Sequence, residues 1–396
     1  MKKNIFLSLL FIFFVIQLQK AQVNLSVYSE ISIITAGPGD ELYEKFGHSA
    51  IRIKDPVLNL DIIYNYGIFD FNAPNFYTNF AQGKMYYLLA KYDFKYFLNT
   101  YKKEKRWVKQ QVLNLNQQQK QAYFNYLETN ALKENATYLY DPFFNNCATK
   151  LRDITKYVFK NDVQFKNKDI GDYKSLRNLM NQELYFNSWG NLGINLIAGI
   201  ILDEKRKSEA YMYLPDYVYS LFKNATVKSN NDKNRQLVLR EDVLLNFKEK
   251  SNSKFNLFSP IILFTLIAFI GVFITYKDFK NKKRTKIADF LVFFTTGFVG
   301  LILVYLWVFS SHKTAPNNFN ILWAFLPNLI LAFKLSKNIS KTWFQKYIGI
   351  LLVFLLLTIV LWIFKIQVFP IAIIPLIFLF FVRYMFLYQF LLNSKK

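Results

Sequence analysis

The sequence predicts an α+β extracytoplasmic domain followed by a bundle of about five transmembrane helices. Three observations predict it: a short apolar run behind Met1-Lys2-Lys3, a long region that mixes strand-like alternation with helix-like spacing, and a series of apolar runs beyond residue 257.

The first element is a signal peptide over residues 1–21. Its apolar run, Ile5 to Ile16, is shorter than the roughly 20 residues that a spanning helix requires, and polar residues from Gln17 to Gln22 follow it. Cleavage is expected near Ala21. Residues 22–226 then form the extracytoplasmic domain. Ile31 and Ile33 belong to a strand that ends at Gly37-Pro38-Gly39-Asp40, and Ser49 to Lys54 with Ile62 to Gly67 read as a β-hairpin. Asn116 and Gln119 form a capping pair, and Ala122, Tyr123, Tyr126, Leu127 and Ala131 keep helical spacing, so a helix is predicted over 117–133. Residues 227–256, rich in Asn, Lys and Ser, read as a linker in which Leu237 to Leu245 could form a strand or helix.

The membrane domain, 257–396, carries apolar runs at about 257–276, 288–309, 319–334, 347–364 and 369–388. Basic residues alternate between the loops. Lys277, Lys280, Lys282, Lys283, Arg284 and Lys286 follow the first run, and Lys334, Lys337, Lys341 and Lys346 follow the third, whereas the other two turns hold only Lys313 and Lys365. The positive-inside rule puts the rich loops and the C-terminus in the cytoplasm and the N-terminal domain outside. Trp307 and Trp323 fit an aromatic belt at the outer boundary. The expected address is the inner (cytoplasmic) membrane, with the N-terminal domain periplasmic.

Lys and Arg outnumber Asp and Glu by 50 to 27, a balance that would suit nucleic acid in a cytoplasmic protein. Here the basic residues are spread through the chain or cluster beside apolar spans, where they suit anionic lipid, so membrane and not nucleic acid is the expected partner. The lone cysteine, Cys147, excludes an intramolecular disulfide, and with only two histidines, His48 and His312, no Cys- and His-based zinc cage can be built. No metal or organic cofactor is implied.

Two segments can carry chemistry. In Phe46-Gly47-His48-Ser49-Ala50-Ile51-Arg52-Ile53, His48 opens an alternating strand, a rigid mount for an imidazole. In Asp141-Pro142-Phe143-Phe144-Asn145-Asn146-Cys147, a Pro- and Asn-rich approach leads into a helix with Asn145 or Asn146 as N-cap. Cys147, Leu151, Ile154 and Val158 share one face of that helix. A thiol at a helix N-terminus, facing a histidine, can ionise near neutral pH and act as a nucleophile.

A strand-borne His followed later by a helix-capping Asn-Cys is the order of circularly permuted papain-like (NlpC/P60-like) enzymes. Asn146-Cys147 resembles the motif of the lecithin:retinol acyltransferase group, which forms an acyl-thioester on cysteine with phospholipid as donor. More closely, Phe46 to Ala50, Tyr64 to Phe71, Asn75-Phe76-Tyr77, Asp141 to Thr149 and, in the membrane domain, Ser311-His312-Lys313, Asn318 to Trp323 and Pro327 resemble the Lnb family of Bacteroidota. That resemblance covers nearly the whole chain. It implies a lipoprotein N-acyltransferase with a Cys147–His48 dyad, a phospholipid acyl donor and a lipoprotein acceptor. A thiol hydrolase with the same dyad, a cell-wall peptidase or phospholipase, is the alternative. The group that orients His48 is expected on the next strand, Asn65 first and Tyr64 in reserve. Asn145, Asn146 or backbone N–H groups are candidates for the oxyanion, and topology puts His312 on the same side of the membrane as His48.

Overall fold

The computed structural model describes residues 23–160, 162–166, 170–171, 173–228, 234–249, 256–335 and 341–393. The expected signal peptide lies outside them. The alternating segments become antiparallel strands: β1 (Glu30–Ala36), β2 (His48–Asp55), β3 (Leu60–Ile68), β4 (Tyr86–Asp93), β5 (Val108–Leu113), β6 (Thr137–Leu139) and β7 (Val238–Leu245). They form one seven-stranded sheet in the order β7-β5-β1-β2-β3-β4-β6. The β2–β3 hairpin turns where the Asp55 carboxylate accepts the Val57 and Leu58 N–H groups and Asn59 takes a left-handed conformation.

β7 decides what the expected linker holds. Of the two readings open for Leu237 to Leu245 the strand is the one formed, and it pairs with β5 along one edge of the sheet, with Arg240-Glu241-Asp242 at its centre. Charged residues are what an edge strand carries when one side of its backbone is left unpaired.

Both faces of the sheet are covered. On one, Ile31, Ile33, Ile51, Ile53, Tyr64 and Tyr66 pack against helices Gln117–Asn130, Cys147–Val158 and Pro215–Lys223. On the other, Ile34, Ala36, Ala50 and Ile63 meet Phe94, Phe97 and Tyr101 of helix Phe94–Glu104. The Asn116–Gln119 capping box starts its helix as expected, with the side chain of Asn116 accepting from Gln119 N at 2.8 Å.

Among the described residues of the membrane domain, four helices are long and apolar enough to span: Pro260–Lys280, Lys286–Val308, Thr342–Ile363 and Ile371–Asn393. The third expected span is present in a shorter form. Residues 319–334 form a shorter, broken element, a 3-10 turn at Phe319–Leu322 and an α-helix at Pro327–Lys334, with Pro327 starting the second piece. It packs closely on its neighbour because Gly297 and Gly300 present no side chain; a Cβ on either would lie 2.0 Å from Leu329 N or 2.2 Å from Ala324 O. Trp323 faces inward, 4% exposed, and donates to Asn320 Oδ1 at 2.8 Å, so it is not part of a lipid-facing belt. At the end of the bundle where Pro260–Lys280 turns into Lys286–Val308, the buried Arg383 bonds Asp289 and Asp278, and Arg284 also pairs with Asp289. Charges this costly to bury persist because each has an opposite partner.

The two domains are joined by backbone. Ser311 N donates to Gln82 O at 2.8 Å, and Gly199 N to Thr314 O at 2.7 Å. Gly83 and Gly199 permit the approach: a Cβ would fall 2.6 Å from His312 N and 1.9 Å from Pro316 O, respectively. The fully buried Arg177 braces the junction by holding Asp203, Asn195 and the Ala198 and Gly199 carbonyls, while Asp203 also accepts from Val368 N.

Candidate active site

Cys147 is the first residue of its helix, and Asn146 is the cap. Asn146 Oδ1 accepts from Thr149 N at 2.9 Å, and Thr149 Oγ1 accepts from Asn146 N at 2.8 Å. The same Asn146 donates through Nδ2 to the carbonyls of Pro142 and Tyr213, each at 2.8 Å. The helix start is therefore clamped on both sides. Leu151 and Ile154 are buried below Cys147 and Val158 is half-buried, which seats this face on the sheet. The thiol itself is 8% exposed.

His48 is placed by Gly47, whose φ of +72° and tight approach to Ala36 O leave no room for a side chain. The ring Nε2 lies 2.6 Å from Asn65 Oδ1. Nδ1 is left for Cys147, to which the ring is hydrogen-bonded. The Asn65 amide is itself oriented, because Nδ2 donates to Tyr92 Oη at 2.9 Å. The sulfur also receives the Ser49 and Ala148 N–H groups.

These contacts decide the electrostatics. Burial pushes the Cys147 thiol up, but the His48 charge and hydrogen bond, with the two backbone N–H groups, outweigh it and hold the thiol below its ordinary value. Burial pulls His48 down, and the Cys147 sulfur and Asn65 more than reverse it, so the imidazole titrates above its usual range. The two shifts favour a thiolate–imidazolium pair. Such a pair is a nucleophile joined to its own proton carrier.

The other expected residues are placed apart. Ile51 sits opposite Tyr64, so Asn65 is level with Ala50 on the His48 face, while Tyr64 points to the far face and bonds Glu128. Tyr64 cannot orient His48. Asn145 is turned outward, its Nδ2 donating to Leu139 O at 2.6 Å. His312 meets the N-terminal domain but away from the thiol, with Nε2 2.8 Å from Phe80 O.

Sequence reasoning missed the tyrosines around Cys147. Tyr138 Oη is buried with no hydrogen-bond partner among the described residues and lies beside Gly67. A Cβ on Gly67 would stand 3.9 Å from that hydroxyl, 3.9 Å from Cys147 Cβ and 3.8 Å from Tyr140 Cε2. Burial and then Cys147 push both Tyr138 and Tyr140 well above the ordinary phenol value, so they stay protonated donors. The only sequence signal was the Tyr138-Leu139-Tyr140 alternation close before the cysteine. Among the described residues, no three His, Cys, Asp or Glu side chains gather where they could hold a metal ion.

Comparison with known proteins agrees with both halves of the chain. No curated protein and no solved structure matches it. Residues 17–182 match the Lnb N-terminal periplasmic domain and residues 250–395 match the Lnb transmembrane domain. With a periplasmic α+β domain carrying the Cys147–His48 pair and a multi-span membrane domain behind it, the chain belongs to the Lnb family.

Proposed function

We propose that the protein is a lipoprotein N-acyltransferase of the inner membrane, with its C-terminus in the cytoplasm. It would move an acyl chain from phospholipid through a Cys147 thioester to the N-terminal amine of a lipid-modified cysteine. The observation that carries this reading is a thiol held by His48 and Asn65 in a domain bonded, through Gln82 and Gly199, to the outer loop of a membrane domain. A pair so placed meets substrates at the periplasmic leaflet. The strand-borne His48 and helix-start Cys147 also suit a permuted papain-like arrangement.

In the first half-reaction the Cys147 thiolate attacks the ester carbonyl. The tetrahedral oxyanion needs a preorganised donor, and the unpartnered Tyr138 hydroxyl, on the Gly67 side of Cys147, is a neutral one free to serve. The ester C–O bond then breaks, and the leaving alkoxide takes the imidazolium proton of His48, releasing lysophospholipid and leaving the acyl-thioester. In the second half-reaction the unprotonated amine attacks the thioester and gives a proton to His48. The C–S bond breaks, the amide forms and the thiolate–imidazolium pair returns. Asn65 acts through His48, holding the ring so that Nδ1 faces sulfur.

The test is the acyl state of lipoprotein N-termini in cells carrying Cys147→Ser. Loss of N-acylation, with the variant still inserted and folded, is expected. N-acylated termini found by mass spectrometry in that strain, with no other N-acyltransferase present, would end the proposal.

A further inference from the structure

A file of aromatic rings runs from the wall of the thiol site to the membrane domain. Tyr140, beside Gly67 and Cys147, stacks on Tyr87 with centroids 4.4 Å apart. Tyr87 stacks on Phe69 at 4.8 Å, Phe69 on Phe76 at 6.1 Å, and Phe76 on Phe80 at 6.3 Å. Phe80 meets the ring of His312 edge-on at 6.2 Å. The four stacked pairs are near-parallel, with interplanar angles of 22° to 26°.

The file is most open at its membrane end. Tyr140 is half-buried and Tyr87 is 8% exposed, whereas Phe80 at the membrane end is 48% exposed. Phe71, flanking Phe69 at 4.9 Å, is also 48% exposed. Large rings left open in water are unfavourable, so a connected set of them marks a contact surface. Its position selects the occupant. The outer end is bonded to the loop that follows the spanning helix Lys286–Val308, through Ser311 N to Gln82 O and His312 Nε2 to Phe80 O. That loop lies where the helix leaves the bilayer, and exposed Lys84 and Lys313, each next in the chain to a residue of this junction, suit a phosphate headgroup. A linear apolar path that starts at the bilayer surface and ends at a thiol fits a hydrocarbon chain better than a folded partner.

We infer that this file is an acyl-chain subsite, which draws one chain of a periplasmic-leaflet phospholipid from His312 toward Cys147. Its use in catalysis rests on the acyl-transfer reading; its occupancy by lipid does not.

The test uses full-length Cys147→Ala protein in vesicles of phosphatidylethanolamine and phosphatidylglycerol. A benzophenone amino acid replaces Phe76, Phe69 or, for comparison, Tyr157, which is 65% exposed and packs on Tyr126 outside the file. Illumination is expected to add the mass of one phospholipid at both Phe76 and Phe69 and none at Tyr157. If the probe at Phe69 prevents folding, Phe71 takes its place. Adducts at Phe76 alone would mean that the outer rings merely dip into the bilayer, and would overturn the subsite. Absence of lipid adducts, equal labelling at Tyr157, or cross-links only between protein copies would overturn it too. The acyl-transfer reading fails separately: wild-type protein that never acquires an acyl-thioester would sink it even where lipid adducts form, and a thioester without adducts would sink the subsite alone.

Discussion

Replacing Asn65 by Ala tests how the thiol is activated. The change removes the 2.6 Å contact to His48 Nε2, while Tyr92 loses the amide donor that it held in place. A hydrogen bond to a charged group is worth about 2 kcal/mol. Here the charged state is the imidazolium, so losing the bond lowers the proton affinity of His48 and, through it, deprives the Cys147 thiolate of its counter-charge. A loss of about 2 kcal/mol corresponds to a reactivity change of roughly thirtyfold at a pH where the wild-type thiol is ionised and the variant's is not. The assay is the rate of Cys147 alkylation by iodoacetamide in the full-length protein, followed against pH. For Asn65→Ala the inflection of thiolate formation is expected to move to higher pH and the rate near neutrality to fall; Asn65→Asp, which keeps an acceptor, is expected to retain the low inflection. An unchanged profile in Asn65→Ala would refute the orienting role, because a merely structural loss would change stability and leave the profile of the folded fraction in place.

Four further outcomes follow from the geometry. Wild-type acyl transfer should be bell-shaped in pH: Cys147, held down, sets the acid limb and His48, held up, sets the alkaline limb, both as properties of the pair. In stability the signs are opposite, the Cys147 contribution being lost as pH falls through its lowered value and that of His48 as pH rises through its raised one. Asn146→Ala removes a helix cap and leaves the Pro142 and Tyr213 carbonyls without their donor, which should cost about 2–3 kcal/mol in thermal unfolding. Arg177→Met strands the buried Asp203 and should cost about 3–5 kcal/mol by the same measurement. Gly199→Ala pushes a methyl into Pro316 O, an overpacking worth about 1–3 kcal/mol, and hydrogen exchange at Thr314 to Asn317 should accelerate while the Cys147 helix stays protected.

Much of this was legible in the residues. Alternation in β1 to β3, the capping pair at Asn116 and the N-cap at Asn145 or Asn146, of which the structure uses Asn146, are local signals, and local signals survive folding. The choice between Asn65 and Tyr64 was not local. Adjacent strand residues face opposite ways, and only the register that pairs Ile51 with Tyr64 puts Asn65 on the face of His48. β7 stayed undecided between strand and helix for a different reason: an edge strand satisfies one side of its backbone and exposes the other, so Arg240, Glu241 and Asp242 carry no apolar alternation. The third membrane element was legible as an apolar run but not in its form: it leads from the loop that holds His312 to Leu335, whose carbonyl accepts from Arg284 in the basic loop after the first span, as a shorter, broken element. Its window is apolar, but Pro327 interrupts it and buried Asn318, Asn320 and Asn328 need polar partners that a lipid-facing helix would not offer. Tyr138 was invisible because nothing in a three-residue strand announces an unpartnered hydroxyl; that property exists only once Gly67 and Cys147 are packed against it.

The central claim is that Cys147 becomes acylated by phospholipid and passes the chain to an amine. Intact-mass measurement of the full-length protein, incubated with phospholipid of one defined acyl composition, tests it most directly. One acyl mass is expected to be added at Cys147, released by hydroxylamine, absent in Cys147→Ser, and transferred to the N-terminus of a diacylated lipopeptide when that is supplied. Release of free fatty acid with no transfer to the lipopeptide, or N-acylated lipopeptide formed by the Cys147→Ser protein, would contradict it.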